Sequence, residues 1–183
     1  MHTVYIAMSI DGYIADVDGS VSWLDTFHTV LEQNPTSYFS TSYEKFYRTV
    51  DAVVMGRKTY DVIKSFEVDY PYAHIPNYII TYNSMLANTE YCQFCSLTQY
   101  VEQINMQASR VIWVVGGGIL ASALLAKGLI EKLIITIMPV MLGAGIRLFP
   151  GNIDAVTTQF SLTNCVTDCG IVELIYEKKE VSL

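Results

Sequence analysis

Short runs of β-forming residues, each followed by a helical segment, limit the folds open to this chain more than any other feature. The pattern predicts strands at residues 3–9, 52–55, 77–82, 91–95, 111–115, 133–140, 158–166 and 171–178. It predicts helices at residues 23–33, 42–50, 57–65, 97–107 and from the glycines at 116 through residue 126. Strands separated by helices are joined by right-handed crossovers into a parallel sheet, whereas the last two, joined by a tight turn, form an antiparallel pair. We therefore expect a single α/β domain over residues 1–183, with a mixed, mostly parallel sheet and helices on both faces.

Composition excludes several classes of protein. Of the 183 residues, 51% are hydrophobic and 16% are charged, which suits a closed core and argues against disorder. The net charge of −7 and the total of 11 Lys and Arg argue against a nucleic-acid partner. No apolar run is long enough to cross a bilayer, because charged residues and a proline interrupt the most apolar stretch, 129–142. The N-terminus lacks the features of a signal peptide, so we expect a cytoplasmic protein with no membrane partner.

The cysteines allow two interpretations. Cys92 and Cys95 form one close pair, Cys165 and Cys169 another, and two such pairs could hold one zinc ion. Neither pair lies in a glycine-rich knuckle, which favours free thiols in a reducing compartment. The three histidines are scattered along the chain. We expect no metal site.

The junction between the second predicted strand and its helix has the composition of a phosphate site. A helix that begins near Arg57 offers unpaired backbone N–H groups and the positive end of its dipole. Gly56 allows close approach, Arg57 and Lys58 add positive charge, and Thr59 adds a hydroxyl. The alternative is an ordinary helix start with two solvated cations.

A second junction, at Gly116, Gly117 and Gly118, predicts a pyrophosphate site more strongly. Three consecutive glycines after a buried strand carry an entropic cost that a simple turn does not require. They would let a pyrophosphate lie directly on the main chain at a helix N-terminus. The G-x-G-x-x-G spacing of the Rossmann fingerprint is absent. A close helix–strand crossing is the weaker alternative, since one glycine would suffice for it.

Five segments together resemble the dihydrofolate-reductase-like family. They are MSIDGYIA at 8–15, MGRKTY at 55–60, YIIT at 78–81, VGGG at 115–118 and PVMLGAGIRLF at 139–149. The last segment is similar to the branch that contains the reductase domain of the bifunctional riboflavin-biosynthesis enzyme. The resemblance runs in order from residue 4 to residue 176. It implies a three-layer αβα fold and an NADPH-dependent transfer of hydride to a pterin- or pyrimidine-like heterocycle, or to another conjugated C=N or C=O compound.

The resemblance also implies where NADPH binds. The corresponding residues are Ala7 and Met8 at the nicotinamide; Ile14 and the loop to Ser20 above it; Gly56, Arg57, Lys58 and Thr59 at the adenosine 2′-phosphate; Thr81, Tyr82 and Asn83 beside the adenine; and Gly116, Gly117, Gly118, Ile119 and Leu120 at the pyrophosphate. The Gly116–Gly117 bond corresponds to a cis peptide of the family. Ile119 stands where many dihydrofolate reductases have a phosphate-binding arginine, which weakens the case for NADPH over NADH.

The proton donor is left open. The family places a carboxylate shortly after its tryptophan, and Asp25, two residues after Trp23, falls short of that place when counted forward. Counting backward from Met55 points near Ser40, so the two counts disagree. Asp25 is the first candidate, with a solvated helix-start aspartate as its alternative, and Asp11 is the second. A catalytically inactive NADP-binding protein and an oligomeric scaffold without a ligand therefore remain as alternative functions.

Two further expectations concern surfaces. Tyr38, Phe39, Tyr43, Phe46 and Tyr47 form an aromatic cluster that could stack on a heterocycle, although aromatics at helical spacing more often belong to a core. The mean hydropathy of +0.31 is high for a small domain. Together with the resemblance to a branch whose domains pair, it leads us to expect a homodimer that uses the C-terminal strand pair.

Overall fold

The computed structural model describes residues 1–66, 68–105, 110–150 and 157–179. The strands within them are β1 His2–Ser9, β2 Tyr13–Ala15, β3 Ala52–Gly56, β4 Asn77–Ile80, β5 Cys92–Cys95, β6 Ile112–Val115, β7 Ile130–Met138, β8 Ile146–Arg147, β9 Phe160–Asp168 and β10 Ile171–Lys178. The α-helices are α1 Asp25–Gln33, α2 Phe39–Tyr47, α3 Arg57–Ser65, α4 Leu97–Asn105 and α5 Gly118–Ala126, and a 3₁₀ turn, Ser22–Leu24, precedes α1.

Eight of these strands form one sheet in the order β5-β4-β3-β6-β1-β7-β10-β9. The strands from β5 to β7 are parallel, and β10 runs antiparallel to both β7 and β9. Each parallel connection passes through a helix or a long segment, as crossover geometry requires. The predicted α/β fold, with its antiparallel C-terminal pair, is confirmed.

The central strands are buried on both faces, which explains their uninterrupted apolar sequences. On one face, Val54 and Val114 pack in a cluster with Leu124 of α5. On the other, Met55 and Trp113 form a second cluster that is covered partly by α2. The sheet is therefore the middle of three layers.

The sequence pattern predicts no strand within residues 10–22, but the structure has one there. β2 lies within them and pairs antiparallel with β8, with Tyr13 opposite Arg147. Hydrophobic periodicity did not predict either strand, because each is only two or three residues long and their pairing spans about 130 residues of sequence.

Other differences are confined to element ends. β7 begins at Ile130, three residues before its predicted start, because Glu131 and Lys132 interrupt the apolar pattern although the strand continues through them: Ile130 pairs with His2 and Lys132 with Thr3, with a register shift at Glu131. The last predicted residues of the fourth helix, 106 and 107, lie outside the described residues.

The four cysteines are free thiols, and Cys92 and Cys95 are buried at the two ends of β5. Among the described residues, no group of three or more His, Cys, Asp or Glu side chains is placed to hold a metal ion. Within the same part of the chain, no helix has both the length and the apolarity that a bilayer crossing requires.

Gly118 is required by packing. It is buried at the start of α5, where a Cβ atom would collide with the carbonyl oxygens of Arg147 and Leu148. The chain after β8 therefore passes directly against the first turn of this helix. Only glycine allows so close an approach.

We predict that Gly118→Ala destabilises the protein by about 1–3 kcal/mol, because the added methyl group overpacks a backbone contact. Gly56→Ala is the matched control, since Gly56 has an ordinary φ of −74° and open space around the position of a Cβ. Urea unfolding should show no loss of stability in the control. Equal stabilities of the two variants would contradict the packing role of Gly118.

Candidate functional site

The two predicted phosphate sites lie side by side at the carboxyl edge of the sheet. β3 and β6 are parallel neighbours, with Met55 opposite Val115, so α3 and α5 both begin at this edge. The N-cap residues, Gly56 and Gly117, make no side-chain hydrogen bond to either helix. Two helix N-termini thus present uncapped N–H groups in one region, which favours binding of a multiply charged anion.

Thr59 connects the two junctions. A Cβ atom on Gly116 would lie 3.2 Å from Cγ2 of Thr59, and one on Gly117 would lie 3.6 Å from its Oγ1. The first turn of α3 therefore packs against the glycine loop. The Thr59 hydroxyl is placed beside the main chain on which the pyrophosphate is expected.

The glycine loop turns through left-handed backbone conformations. Gly116 has φ +58° and Gly117 has φ +70°, values that other residues rarely adopt. The expected cis bond between them is wrong: the structure describes no cis peptide, and the positive φ angles of both glycines turn the strand into the helix.

The remaining loop residues differ in accessibility. Gly118 and Leu120 are buried, and the Leu120 side chain belongs to the core. Ile119 is 81% exposed. Gly118 and Leu120 could therefore contact a ligand only through their backbone groups, whereas the Ile119 side chain lies open to solvent.

Arg57 already has a partner. Its Nε donates to both carboxylate oxygens of Asp61, at 2.7 and 2.8 Å, one helical turn along α3. Its guanidinium carbon also lies 5.8 Å from the ring centres of Tyr60 and Phe94. Arg57 is thus held over the end of the sheet near β5, whereas Lys58 is exposed.

The predicted adenine segment follows β4, which is the neighbour of β3, so it lies at the same edge. Thr81 continues the pairing with β5 through a hydrogen bond from its N–H to the carbonyl of Cys95. Its hydroxyl accepts a hydrogen bond from the N–H of Asn83, while Tyr82 is fully exposed. An exposed ring at this position could cover a planar base.

The predicted nicotinamide end lies two strands away from the α3 junction. β1 extends beyond β6, which brings Ala7 and Met8 near the carboxyl edge. Ala7 packs against an apolar cluster built on Phe39, Met138 and Ile171. Ile14 is buried in the main core, and a Cβ on Gly145 would collide with the carbonyl of Ala15, so this part of the covering loop is held firmly.

The two candidate acids have different surroundings. Asp25 is exposed in the first turn of α1, the position of a helix-start aspartate. Asp11 accepts hydrogen bonds from the Ser9 hydroxyl at 2.6 Å and from the N–H groups of Leu142 and Gly143 at 3.2 and 2.7 Å. These bonds, that of Ser9 first, lower the pKa of Asp11 to about 2. At neutral pH Asp11 is an anion that fastens two loops together.

The aromatic cluster belongs mainly to the core. Phe39 is buried, while Tyr43, Phe46 and Tyr47 lie against Trp113 at 5.6–6.2 Å between ring centres. Tyr38 differs from the others because its hydroxyl donates to Oε1 of Glu173 at 2.8 Å.

Sequence analysis missed three polar side chains near Ala7. Glu173 is only 2% exposed, Thr136 lies beside it, and the buried indole N–H of Trp23 has no hydrogen-bond partner among the described residues. One signal was available in the sequence. Ile171, Glu173 and Ile175 are two residues apart in β10, so they lie on the same, inward face of that strand.

Comparisons with known proteins bear on the family and the fold. A family model described as the RibD C-terminal domain matches residues 73–172. YwjB of Bacillus subtilis (strain 168), an uncharacterized protein, is 34% identical over 148 residues, which are 80% of each chain. A Shewanella sp. PV-4 protein assigned to riboflavin biosynthesis has a TM-score of 0.78 at 26% identity, covering 98% of this chain and 99% of its own. Dihydrofolate reductase from Enterococcus faecalis, solved with NADP(H), has a TM-score of 0.63 at 15% identity, covering 98% and 97%.

We predict that Asp11→Asn loosens the loop at residues 142–143, because an amide nitrogen cannot accept the bond from Gly143. Amide hydrogen exchange at Leu142 and Gly143 should accelerate, whereas Asp18→Asn in the same loop should leave it unchanged. In the wild type, the depressed pKa means that the stabilisation is complete above about pH 4 and disappears as the pH falls through about 2. A Gly143 amide signal that titrates near pH 4 would contradict this prediction.

Proposed function

This chain belongs to the RibD C-terminal domain family, and on that premise we propose that it is an NADPH-dependent reductase. Its substrate would be a small pterin- or pyrimidine-like heterocycle, or another conjugated compound with a C=N or C=O bond. The fold of a reductase family and the two neighbouring helix N-termini at the carboxyl edge support the proposal.

The observation that carries it is the meeting of two uncapped helix N-termini at Thr59. Gly116 and Gly117 expose main chain there, and the first turn of α3 also carries Lys58 and Arg57, the latter on the side toward β5. Phosphate groups are the ligands that such an arrangement binds best. The donor set therefore fits the phosphates of NADPH.

The residues divide the work of binding. Thr59 and the backbone of residues 116–120 would hold the pyrophosphate, Arg57 the 2′-phosphate, and residues 81–83 the adenine. The end of β1 at Ala7 and Met8 would receive the nicotinamide, and the loop from Ile14 to Ser20 would exclude water above it. The bound cofactor supplies the hydride. The protein contributes orientation and shielding.

A second function, NADP binding without catalysis, is favoured by the surroundings of the two candidate acids. Asp25 is exposed and Asp11 is an anion tied to residues 142–143. Neither is therefore placed as a buried proton donor. A protein of this kind would bind the nucleotide and turn over no substrate.

One experiment tests both functions. NADPH is titrated into the full-length protein while energy transfer from its tryptophans to the nicotinamide is measured. NADPH oxidation is then followed with dihydrofolate, the ribosylaminopyrimidine of riboflavin synthesis and simple carbonyl compounds. Binding with turnover supports the reductase, binding without turnover supports the inactive protein, and no binding contradicts both.

We predict that Arg57→Ala weakens NADPH binding by about 1–3 kcal/mol and NADH binding little, because only NADPH carries the phosphate that Arg57 would pair with. Asp61→Asn should raise the preference for NADPH, since it removes the carboxylate that competes for the same guanidinium. Arg48→Ala on α2 is the matched control, because it breaks an equivalent exposed pair with Glu44. Equal losses for both cofactors in Arg57→Ala would remove Arg57 from the 2′-phosphate.

We also propose that the protein is a homodimer formed through β9. This strand is at the edge of the sheet, five of its nine residues are exposed, and Leu162 is 52% exposed. Unpaired edge groups beside an apolar side chain favour association across a two-fold axis. Light scattering should give twice the mass of one chain, and Leu162→Lys should lower it, whereas Gln93→Lys on the other edge should not. A wild-type mass of one chain that stays unchanged on tenfold concentration would contradict the dimer.

A further inference from the structure

Glu173 is a buried carboxylate with few partners. It is 2% exposed and accepts hydrogen bonds from the Tyr38 hydroxyl at 2.8 Å and the Thr136 hydroxyl at 3.3 Å. No Lys or Arg of the described residues forms a salt bridge with it. A carboxylate can accept about four hydrogen bonds, and burying one without a cation is costly. This group therefore retains capacity for donors that the described residues do not supply.

The sheet register places Glu173 in line with the expected nicotinamide site. Ala7 of β1 is opposite Thr136 of β7, and Thr136 is opposite Glu173 of β10. Directly paired residues project to the same face of a sheet, and neighbouring strands are roughly 4.8 Å apart. Glu173 thus lies roughly 10 Å from Ala7 on the same face, a separation that a one- or two-ring heterocycle can span.

Apolar side chains and a polar N–H group lie close to this row. Phe39, Met138 and Ile171 supply apolar surface immediately beyond it toward the carboxyl edge. Trp23 packs against the same cluster, and its indole N–H is a buried donor that has no partner among the residues the structure describes. Acceptor, donor and apolar surface are therefore present together, as in small-molecule sites generally.

We propose that the Glu173 carboxylate binds the N–H donors of an amino-substituted pyrimidine or pterin ring and so orients the substrate for reduction, with the Tyr38 hydroxyl as the partner that the ligand displaces. The inference rests on the proposed reductase function and names the substrate group that its site recognises. Glu173 acts by binding and orienting, and no covalent step passes through it.

Tyr38 is suited to this exchange. It is half-buried at the start of α2, and burial together with its hydrogen bond to Glu173 raises the pKa of Tyr38 to about 12. Tyr38 is therefore a neutral donor at physiological pH. A ring amino group can replace it as the donor to Glu173, and the displaced hydroxyl stays uncharged. Thr136 keeps the second carboxylate oxygen in place.

The test measures recognition of N–H donors directly. NMR titrations of the full-length protein, with and without NADPH, compare 2,4-diaminopyrimidine with 2,4-dimethoxypyrimidine, which has the same ring and no N–H donor. We expect the wild type to prefer the diamino compound by about tenfold or more, and Glu173→Gln to abolish that preference. Glu177→Gln, the same change at an exposed position of β10, should leave it unchanged.

Tyr38→Phe separates binding from a structural role. Removing the competing hydroxyl should raise affinity for the diamino compound, while loss of a purely structural bond would leave it unchanged or lower it. This variant also decides the matter if Glu173→Gln does not fold, as judged by circular dichroism.

The proposal is overturned if Glu173→Gln keeps the preference, if Tyr38→Phe does not bind the diamino compound more tightly, or if the wild type shows no preference in either titration. Failure of the reductase function gives a different result. If the reductase function is wrong, the protein does not bind NADPH. The preference for the diamino compound, measured without nucleotide, still tests the role of Glu173.

Discussion

The pairing of β3 with β6 is the constraint on which the site depends. Because these parallel strands are neighbours and end at the same edge, the helices that follow them must begin side by side. Thr59 then contacts the glycine loop, and both N-termini stay free of side-chain caps. Gly116 and Gly117 both have positive φ, which residues with a Cβ atom adopt only at a cost in energy. Glycine is therefore favoured at both positions, and no bulky side chain fills the space between the two helix N-termini. A change in this pairing would separate the two helix N-termini, whatever the loop sequences were.

Sequence patterns predicted those parts of the molecule that depend on local chemistry. α3 begins at Arg57 and ends at Ser65 as the pattern indicates, because a buried strand, a glycine and an amphipathic segment follow one another there. β2 and β8 were missed because their pairing joins residues far apart in sequence. The reason for Gly118 was missed likewise: its neighbours are carbonyl groups of residues 147 and 148. What the sequence could not supply was contact between distant segments.

The proton donor illustrates the same limit. Counting along the chain from Trp23 and from Met55 gave different positions, since insertions between elements change the count without changing the sheet. Sheet register is not affected by such insertions, and it brings Glu173 of the last strand into line with Ala7 of the first. A buried carboxylate between two isoleucines on the inward face of a strand is a stronger indication of function than an aspartate at a fixed distance from a tryptophan, because burial of the charge needs a reason.

Arg57 and Glu173, the charged residues at the two ends of the proposed site, differ in their exposure and in the partners they have. Arg57 is partly exposed and shares its charge with Asp61, so a ligand phosphate must compete with an existing pair. Glu173 is buried and holds only neutral donors, so a ligand with N–H groups adds interactions while displacing one. Because solvent and salt screen the charges around Arg57, the exchange of Asp61 for a ligand phosphate is weak and depends on salt. The exchange of donors at Glu173 takes place in surroundings of low polarity. On the proposed function, Glu173 should therefore discriminate between substrates more sharply than Arg57 discriminates between cofactors.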